Sequence, residues 1–142
     1  TIEEKSMGAV IKSGSRPLQG VLKVGERAGR HGLWLLDTTP DPHWMQFGIT
    51  NPNDNEGLMA LIASGCHLAI LVTGRGNVVG SAVAPVIKVT GNSGTYARMS
   101  GDMDFDAGPV LTGEETPHEL GIRLAELAAR VAAGTQRVFH PL

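Results

Sequence analysis

The stretch His67-Leu68-Ala69-Ile70-Leu71-Val72-Thr73-Gly74-Arg75-Gly76, followed by Ala84-Pro85-Val86-Ile87-Lys88-Val89-Thr90-Gly91-Asn92, decides the fold. Each half is a short aliphatic run that halts at a glycine-bounded polar turn. A run of this length, β-branched and closed by Gly, reads as a strand buried on both faces, the pattern of a parallel sheet. The upstream run Leu33-Trp34-Leu35-Leu36, halting at Asp37-Thr38-Thr39-Pro40, has the same form. Between the first two runs, Asn53 and Glu56 have the spacing of a capping box ahead of Leu58, Met59, Leu61 and Ile62, which share a helical face that Gly65 ends. Strand, helix, strand, loop, strand predicts an α/β protein with a mainly parallel sheet, in which Leu33–Asp37, Leu68–Thr73 and Val86–Val89 are neighbours.

Other elements are read outward from that centre. Ile2 to Lys12 forms a short helix ending near Gly14, opened by Thr1 and Glu4 in capping-box spacing. Leu18 to Val24 is a short strand, and Glu26 to Gly32 a loop. Asp41 to Asn55, holding His43, Trp44 and Gln46, is too long for an ordinary connection and is expected to be functional. Residues Tyr96 to Met99 are expected to be helical. Thr116-Pro117-His118-Glu119 is the clearest helix start: a Thr cap, Pro in first position and Glu in third. Leu120, Leu124, Leu127 and Val131 then form one buried stripe over Pro117–Ala133, with Gly134 as the stop. Arg137 to Leu142 carries no structural signal and is expected to fray.

The chain of 142 residues, 14.9 kDa, is the length of a single domain spanning 1–142. Twelve Lys and Arg against fourteen Asp and Glu leave a net charge of −2, with no basic excess for nucleic acid. The longest aliphatic run, Leu68 to Val72, is far short of a membrane span. No secretory leader is visible, and Cys66 alone cannot form an internal disulfide, so a reducing cytoplasm is expected. Nineteen glycines and eight prolines without periodicity imply many tight turns, as in a site-bearing α/β protein.

Several motifs invite chemistry. Gly74, Gly76 and Gly80 are spaced GxGxxxG, not GxGxxG, and no helix follows to receive a pyrophosphate, so a nucleotide cofactor is rejected. What remains is Arg75 on a glycine-flanked loop at a strand's C-terminal end, where its fork matches a carboxylate; a solvated turn arginine is the equal alternative. Lys88 alternates with Val86 and Thr90. In a buried strand it needs a partner and suits a general base or anion binder; on an edge strand it simply faces water. Asp102, Asp104 and Asp106 open like a calcium loop, but Ala107 and Gly113 stand where Gly and Glu are required, so an EF-hand is excluded. The blander reading is a strand or turn with a solvated acidic face. The histidines show no metal-ligand spacing, and no GxSxG nucleophile elbow occurs.

Taken in order, Met7-Gly8-Ala9-Val10-Ile11-Lys12-Ser13-Gly14, Leu36-Asp37-Thr38, Thr73-Gly74-Arg75-Gly76, Ala84 to Asn92 and Asp102-Met103-Asp104-Phe105-Asp106-Ala107-Gly108 resemble the C-terminal part of the altronate dehydratase and galactarate dehydratase family. The resemblance covers almost the whole chain. It implies a Rossmann-like three-layer fold with an unusual crossover, and a homo-oligomeric bacterial enzyme much longer than this chain. The implied chemistry is β-elimination of water from a small sugar acid to a 2-keto-3-deoxy acid, with a divalent metal, Fe2+ or else Mn2+. One branch of the family cleaves sulfolactate. The partner it implies is the remainder of the dehydratase polypeptide or complex.

Such a reaction needs a base and a positive group for the enediolate. On this reading Lys88 is the base or enolate stabiliser, and Asp37 orients Lys88 or ligates metal. Arg75 clamps a carboxylate, Thr73 and Asn92 bind hydroxyls, and His43 and Glu56 are lesser candidates, Glu56 for metal. The long loop with His43 departs from the family pattern and is placed to specialise the substrate. The competing readings are a non-catalytic structural module of a larger lyase and a sugar-acid binder without chemistry.

Overall fold

The structure, a computed structural model, describes residues 2–48 and 53–138, with side chains from Met7 onward. The elements are α1 (Ile2–Lys12), β1 (Leu18–Lys23), β2 (Leu33–Asp37), α2 (Pro42–Met45), α3 (Asp54–Ala63), β3 (Ala69–Thr73), β4 (Val86–Thr90), α4 (Ser93–Arg98), β5 (Phe105–Asp106), α5 (Gly108–Thr112) and α6 (Pro117–Ala132). The Thr1 cap and residues 139–142 of the expected tail lie outside the described residues, as do residues 49–52 of the long loop.

All strand pairs are parallel, and they fall into two sheets rather than one. β1 pairs with β2, from Leu18 opposite Leu33 to Lys23 opposite Asp37. β4 lies between β3 and β5. Leu33–Asp37 is therefore not a neighbour of β3, as the sequence led us to expect; its partner is the strand immediately before it. The links over residues 24–32 and 74–85 join parallel strands without a helix, where a helical crossover is usual.

The second sheet carries the core. Its central strand β4 is buried at all five positions. Alternation sends Ile87 and Val89 to one face, where they meet Phe105, Leu127, Val131 and Val138. Val86 goes to the other face and meets Leu58 of α3 and Ala69. Helices α6 and α3 thus cover opposite faces, giving three layers. The α6 stripe is the one read from sequence, and the helix starts on a full capping box between Thr116 and Glu119. Arg123 fastens it to β5: its guanidinium lies 5.0 Å over the Phe105 ring, donates to the Asp106 carbonyl and pairs with Glu115 at 2.9 Å. Val138 is buried in the same cluster, so Arg137–Val138 is anchored instead of frayed: a large aliphatic side chain followed the helix back onto the sheet.

Two further expectations change. Asp41 to Asn55 is not all loop: the Asp41 carboxylate accepts from His43 N and starts the short helix α2. The acidic alternation is not simply solvated: Met103 and Phe105 are buried, and the aspartates beside them bind backbone.

Candidate functional site

The C-terminal edge of β3, β4 and β5 gathers three polar strand ends in register, Thr73 beside Thr90 and Thr90 beside Asp106. Each end turns its own chain. Thr73 Oγ1 donates to the Gly76 carbonyl at 3.4 Å, Thr90 Oγ1 accepts from Asn92 N at 3.2 Å, and Asp106 Oδ1 accepts from Gly108 N at 2.8 Å. The loops then pack on α4 too closely for side chains. At Gly76, whose φ is +90°, a Cβ would collide with Met99 Sδ; at Gly108 it would stand 2.6 Å from the Ser93 backbone nitrogen. These glycines are the sequence signal that the backbone of this edge is tightly folded.

Arg75 projects from that edge as an exposed side chain between Gly74 and Gly76. Asn92 is the N-cap of α4: its Oδ1 accepts from Thr95 N at 3.0 Å. Arg98, which sequence reasoning missed, is exposed on α4 and donates through Nη2 to Thr95 Oγ1 at 3.1 Å. Thr95 is buried and also touches the Gly76 position. Thr95 thus meets both the Arg98 guanidinium and the Gly76 turn that follows Arg75. Nothing in the spacing from Arg75 to Arg98 announces this; it follows from α4 folding back beneath the Gly74–Gly76 loop. That loop is also tied to α3, since Asn77 donates to Asp54 at 2.5 Å.

Lys88 occupies the middle of β4 with no exposure at all. The solvated edge position is thereby excluded, and so is direct access by a dissolved molecule in this arrangement. Its backbone is clamped by Asp104, whose Oδ2 accepts from Lys88 N at 2.8 Å and whose N donates to the Lys88 carbonyl at 2.9 Å. Both residues have further interaction partners. The sequence reading had Asp37 orient Lys88 or ligate metal; the carboxylate that holds the Lys88 backbone is that of Asp104.

Asp37 belongs to the other sheet. It accepts from Lys23 Nζ at 2.5 Å and from Thr39 N at 2.9 Å. The Lys23 hydrogen bond, followed by those of Thr39, holds its carboxyl well below the usual carboxylate range. Glu56 is occupied by the α3 capping box, accepting from Asn53 N at 2.8 Å. His43 is exposed and meets its own segment: Trp44 and Phe47 edge-on, and Gln46 Nε2 at 3.0 Å from Nδ1. Among the described residues no group of three or more His, Cys, Asp or Glu is placed to hold a metal ion. The two metal candidates do not converge, and each carboxylate serves local structure. The described residues thus do not make an iron site by themselves.

A cavity of about 470 Å³ lies elsewhere, between the inner face of β1–β2 and the end of α3, lined by Leu22, Trp34, Leu36, Leu61, Cys66 and His67 among others. Among the described residues no helix is long and apolar enough to cross a membrane.

Parallel strands sandwiched between helices, with polar ends, close-packed glycine turns and arginines at the C-terminal edge, define an α/β protein of the class that gathers ligand groups where its strands end. The chain belongs to the D-galactarate/altronate dehydratase C-terminal family, whose model matches residues 1–140. It is 36% identical over 120 residues to altronate dehydratase of Escherichia coli (strain K12), covering 84% of this chain and 22% of that protein. It is 31% identical to galactarate dehydratase (L-threo-forming) of the same organism, over 97% of this chain and 24% of the other. With the (2R)-sulfolactate sulfo-lyase subunit beta of Chromohalobacter salexigens it shares 35% identity over 94% of this chain and 32% of that one. The chain thus spans between about a fifth and a third of the length of these relatives.

Proposed function

We propose that this chain is the C-terminal module of a sugar-acid dehydratase, contributing to loss of water from an aldonate or aldarate. Family membership across residues 1–140 is the observation that carries the reading. In such a reaction the proton beside the carboxylate leaves to a base, the hydroxyl on the next carbon departs as water, and the resulting enol becomes a 2-keto-3-deoxy acid. The proton is acidic only if the carboxylate is held against a positive group. Exposed Arg75, on its glycine-flanked loop, supplies that group by a bidentate fork. Thr73 and Asn92 shape the turns around it, and their hydrogen bonds to backbone support a positioning role more than direct contact with substrate hydroxyls.

Lys88 is enclosed, and the metal candidates do not converge, so the base and any divalent metal come from polypeptide outside these residues. Lys88 and Asp104 then fix the strand that carries the edge. A second reading, a module of a sulfolactate-cleaving lyase, is favoured by the match to the sulfo-lyase subunit over 94% of this chain; it uses the same carboxylate clamp with sulfite in place of water as the leaving group.

The test is turnover of hexonates, hexarates and sulfolactate by the complete polypeptide with ferrous iron under reducing conditions, read as 2-keto acid, or as sulfite for sulfolactate. Dehydration by the complete polypeptide, with little or none by these 142 residues alone, is the expected result. Arg75→Lys retains charge but loses the fork, and should raise KM with a smaller change in kcat. Robust turnover by the isolated chain would overturn the division of labour, and no turnover of any of these acids would overturn the reading.

A further inference from the structure

The two sheets differ in what covers them. β1–β2 has an inner face on the cavity against α3, formed by Leu22, Trp34 and Leu36. Its outer face carries Leu18, Val21 and Leu35, since Val21 stands opposite Leu35 and a register shift between Leu18 and Gly20 brings Leu18 to the same side, where it borders the groove with Leu35. All three are exposed, Val21 at 59%. Among the described residues the end of α1 and the turn after it, through Arg16, border this face, leaving a groove of about 270 Å³ between Val10 and Leu18 with Leu35. The helix adds more apolar surface of its own, with Val10 72% and Ile11 76% exposed. The result is a continuous apolar strip across α1, β1 and β2, of the kind that marks an interaction site.

A two-stranded parallel pair is not a self-sufficient unit. Parallel sheets occur with both faces covered, and further strands join them through crossovers of the same chain. Here each strand keeps one edge without a strand partner among the described residues.

We infer that the α1/β1/β2 outer face is the docking surface for the region that precedes this one in the dehydratase polypeptide, which lays an apolar layer on Leu18, Val21 and Leu35. The occupant is named by two observations. The family model is that of a C-terminal portion, and the matched relatives contain two thirds or more of their length outside the matched segment. Second, every hydrophobic residue that is buried among those described lies at Leu58 or beyond, so α1, β1 and β2 contribute none, although single apolar side chains such as Val72, Val83 and Leu111 are exposed in the other half as well. This inference rests on the reading of the chain as one module of a dehydratase, and it adds where the module is joined.

The experiment compares hydrogen exchange in the 142-residue chain with that in the longer polypeptide its gene encodes. The amides of Val21, Leu22, Leu35 and Leu36 should slow by about tenfold or more in the longer polypeptide, while those of β4 change little. Ile11→Glu and Leu35→Glu, made separately, should each restore fast exchange there; Ile11 is so exposed that its variant does not depend on β2 remaining folded. Equal exchange in both contexts would overturn the inference. So would self-association of the isolated chain that Ile11→Glu abolishes, since the occupant is then a second copy. A gene that encodes no preceding dehydratase region would overturn it as well. Activity is read separately. Protection without dehydration leaves the docking surface standing and removes the sugar-acid reading, and dehydration without protection does the reverse.

Discussion

β2 and β4 are both five-residue aliphatic strands ending in a polar residue, and both lie in parallel pairs. One is buried at every position, the other at none. The difference lies in what the chain folds over them. β4 has a strand on each side, α6 on one face and α3 on the other, so even Lys88 is enclosed. Among the described residues β2 has one strand neighbour and, on its outer face, the edge of a helix that does not close over it. An aliphatic run therefore reports that a strand wants cover on both faces; it does not report that the cover is supplied by the same stretch of chain.

The sharpest way to break this comparison is a matched pair of truncations. Ile87→Ala removes three carbons from a position with no exposure, between β4 and α6, and should cost about 2–5 kcal/mol. Val21→Ala removes side-chain atoms that already face water in this chain and should cost less than about 1 kcal/mol. Urea unfolding of the 142-residue variants measures both. Comparable losses would mean that β1–β2 is packed as well as β4 and that its outer face is not bare.

Lys88→Met comes next in size. The stem is retained and the ammonium deleted from an enclosed site, leaving its partners unsatisfied, at about 1–3 kcal/mol of stability. In the complete polypeptide kcat should follow the folded fraction. A stable Lys88→Met variant with kcat lowered by about 100-fold would instead return Lys88 to the role of base.

These outcomes bear on how much the sequence disclosed. Strand positions were legible because periodicity and punctuation are local: Leu33–Asp37 matches to the residue, and the α6 stripe and cap appear as read. The parallel pairing of β3 with β4 appears as read, but the partner of Leu33–Asp37 was not legible, because pairing depends on non-local crossovers that hydrophobic pattern does not encode. The site shows the same division. Arg75 on its loop was readable from its flanking glycines, whereas the contact of Arg98 with Thr95, on which the Gly76 turn packs, arises only through the fold of α4. The partner of Asp37 was hidden for a related reason. Asp37 stands at the end of an aliphatic strand like any site carboxylate, and only strand register gives it to Lys23.

A smaller effect separates the covered half by its local chemistry. Thr116 Oγ1 accepts from Glu119 N at 3.2 Å, and the Glu119 carboxylate accepts from Thr116 N at 2.9 Å. The Thr116 side chain, then its backbone, holds Glu119 below its ordinary pKa of 4.5. Thr116→Val deletes the cap and should cost about 1 kcal/mol at neutral pH. Carbon-detected titration should show Glu119 returning toward 4.5 in the variant. An unchanged titration would mean that the capping box is not formed in solution.

The smallest expected effect is at the exposed end of the bare sheet, where Lys23 meets Asp37. The Asp37 pKa is lowered from 3.8, first by its hydrogen bond with Lys23 and then by Thr39. A depressed carboxylate contributes stability that is fully present above its unfolded pKa and is lost as pH falls from there through the folded pKa. The stability difference between the parent chain and Lys23→Met should therefore be constant at neutral pH and shrink below about pH 4. Both groups reach solvent, with Lys23 68% exposed, so salt should weaken the pair within a Debye length of about 8 Å at physiological strength. That sensitivity is also a probe of cover. If a further layer of polypeptide closes over β1–β2, water and ions are excluded from the outer face that carries this pair. The Asp37 titration should then respond less to added salt in the longer polypeptide than in the 142-residue chain. Equal salt dependence in the two would place Lys23 and Asp37 in open solvent in both, and would confine any covering layer to the Leu18 end of the face.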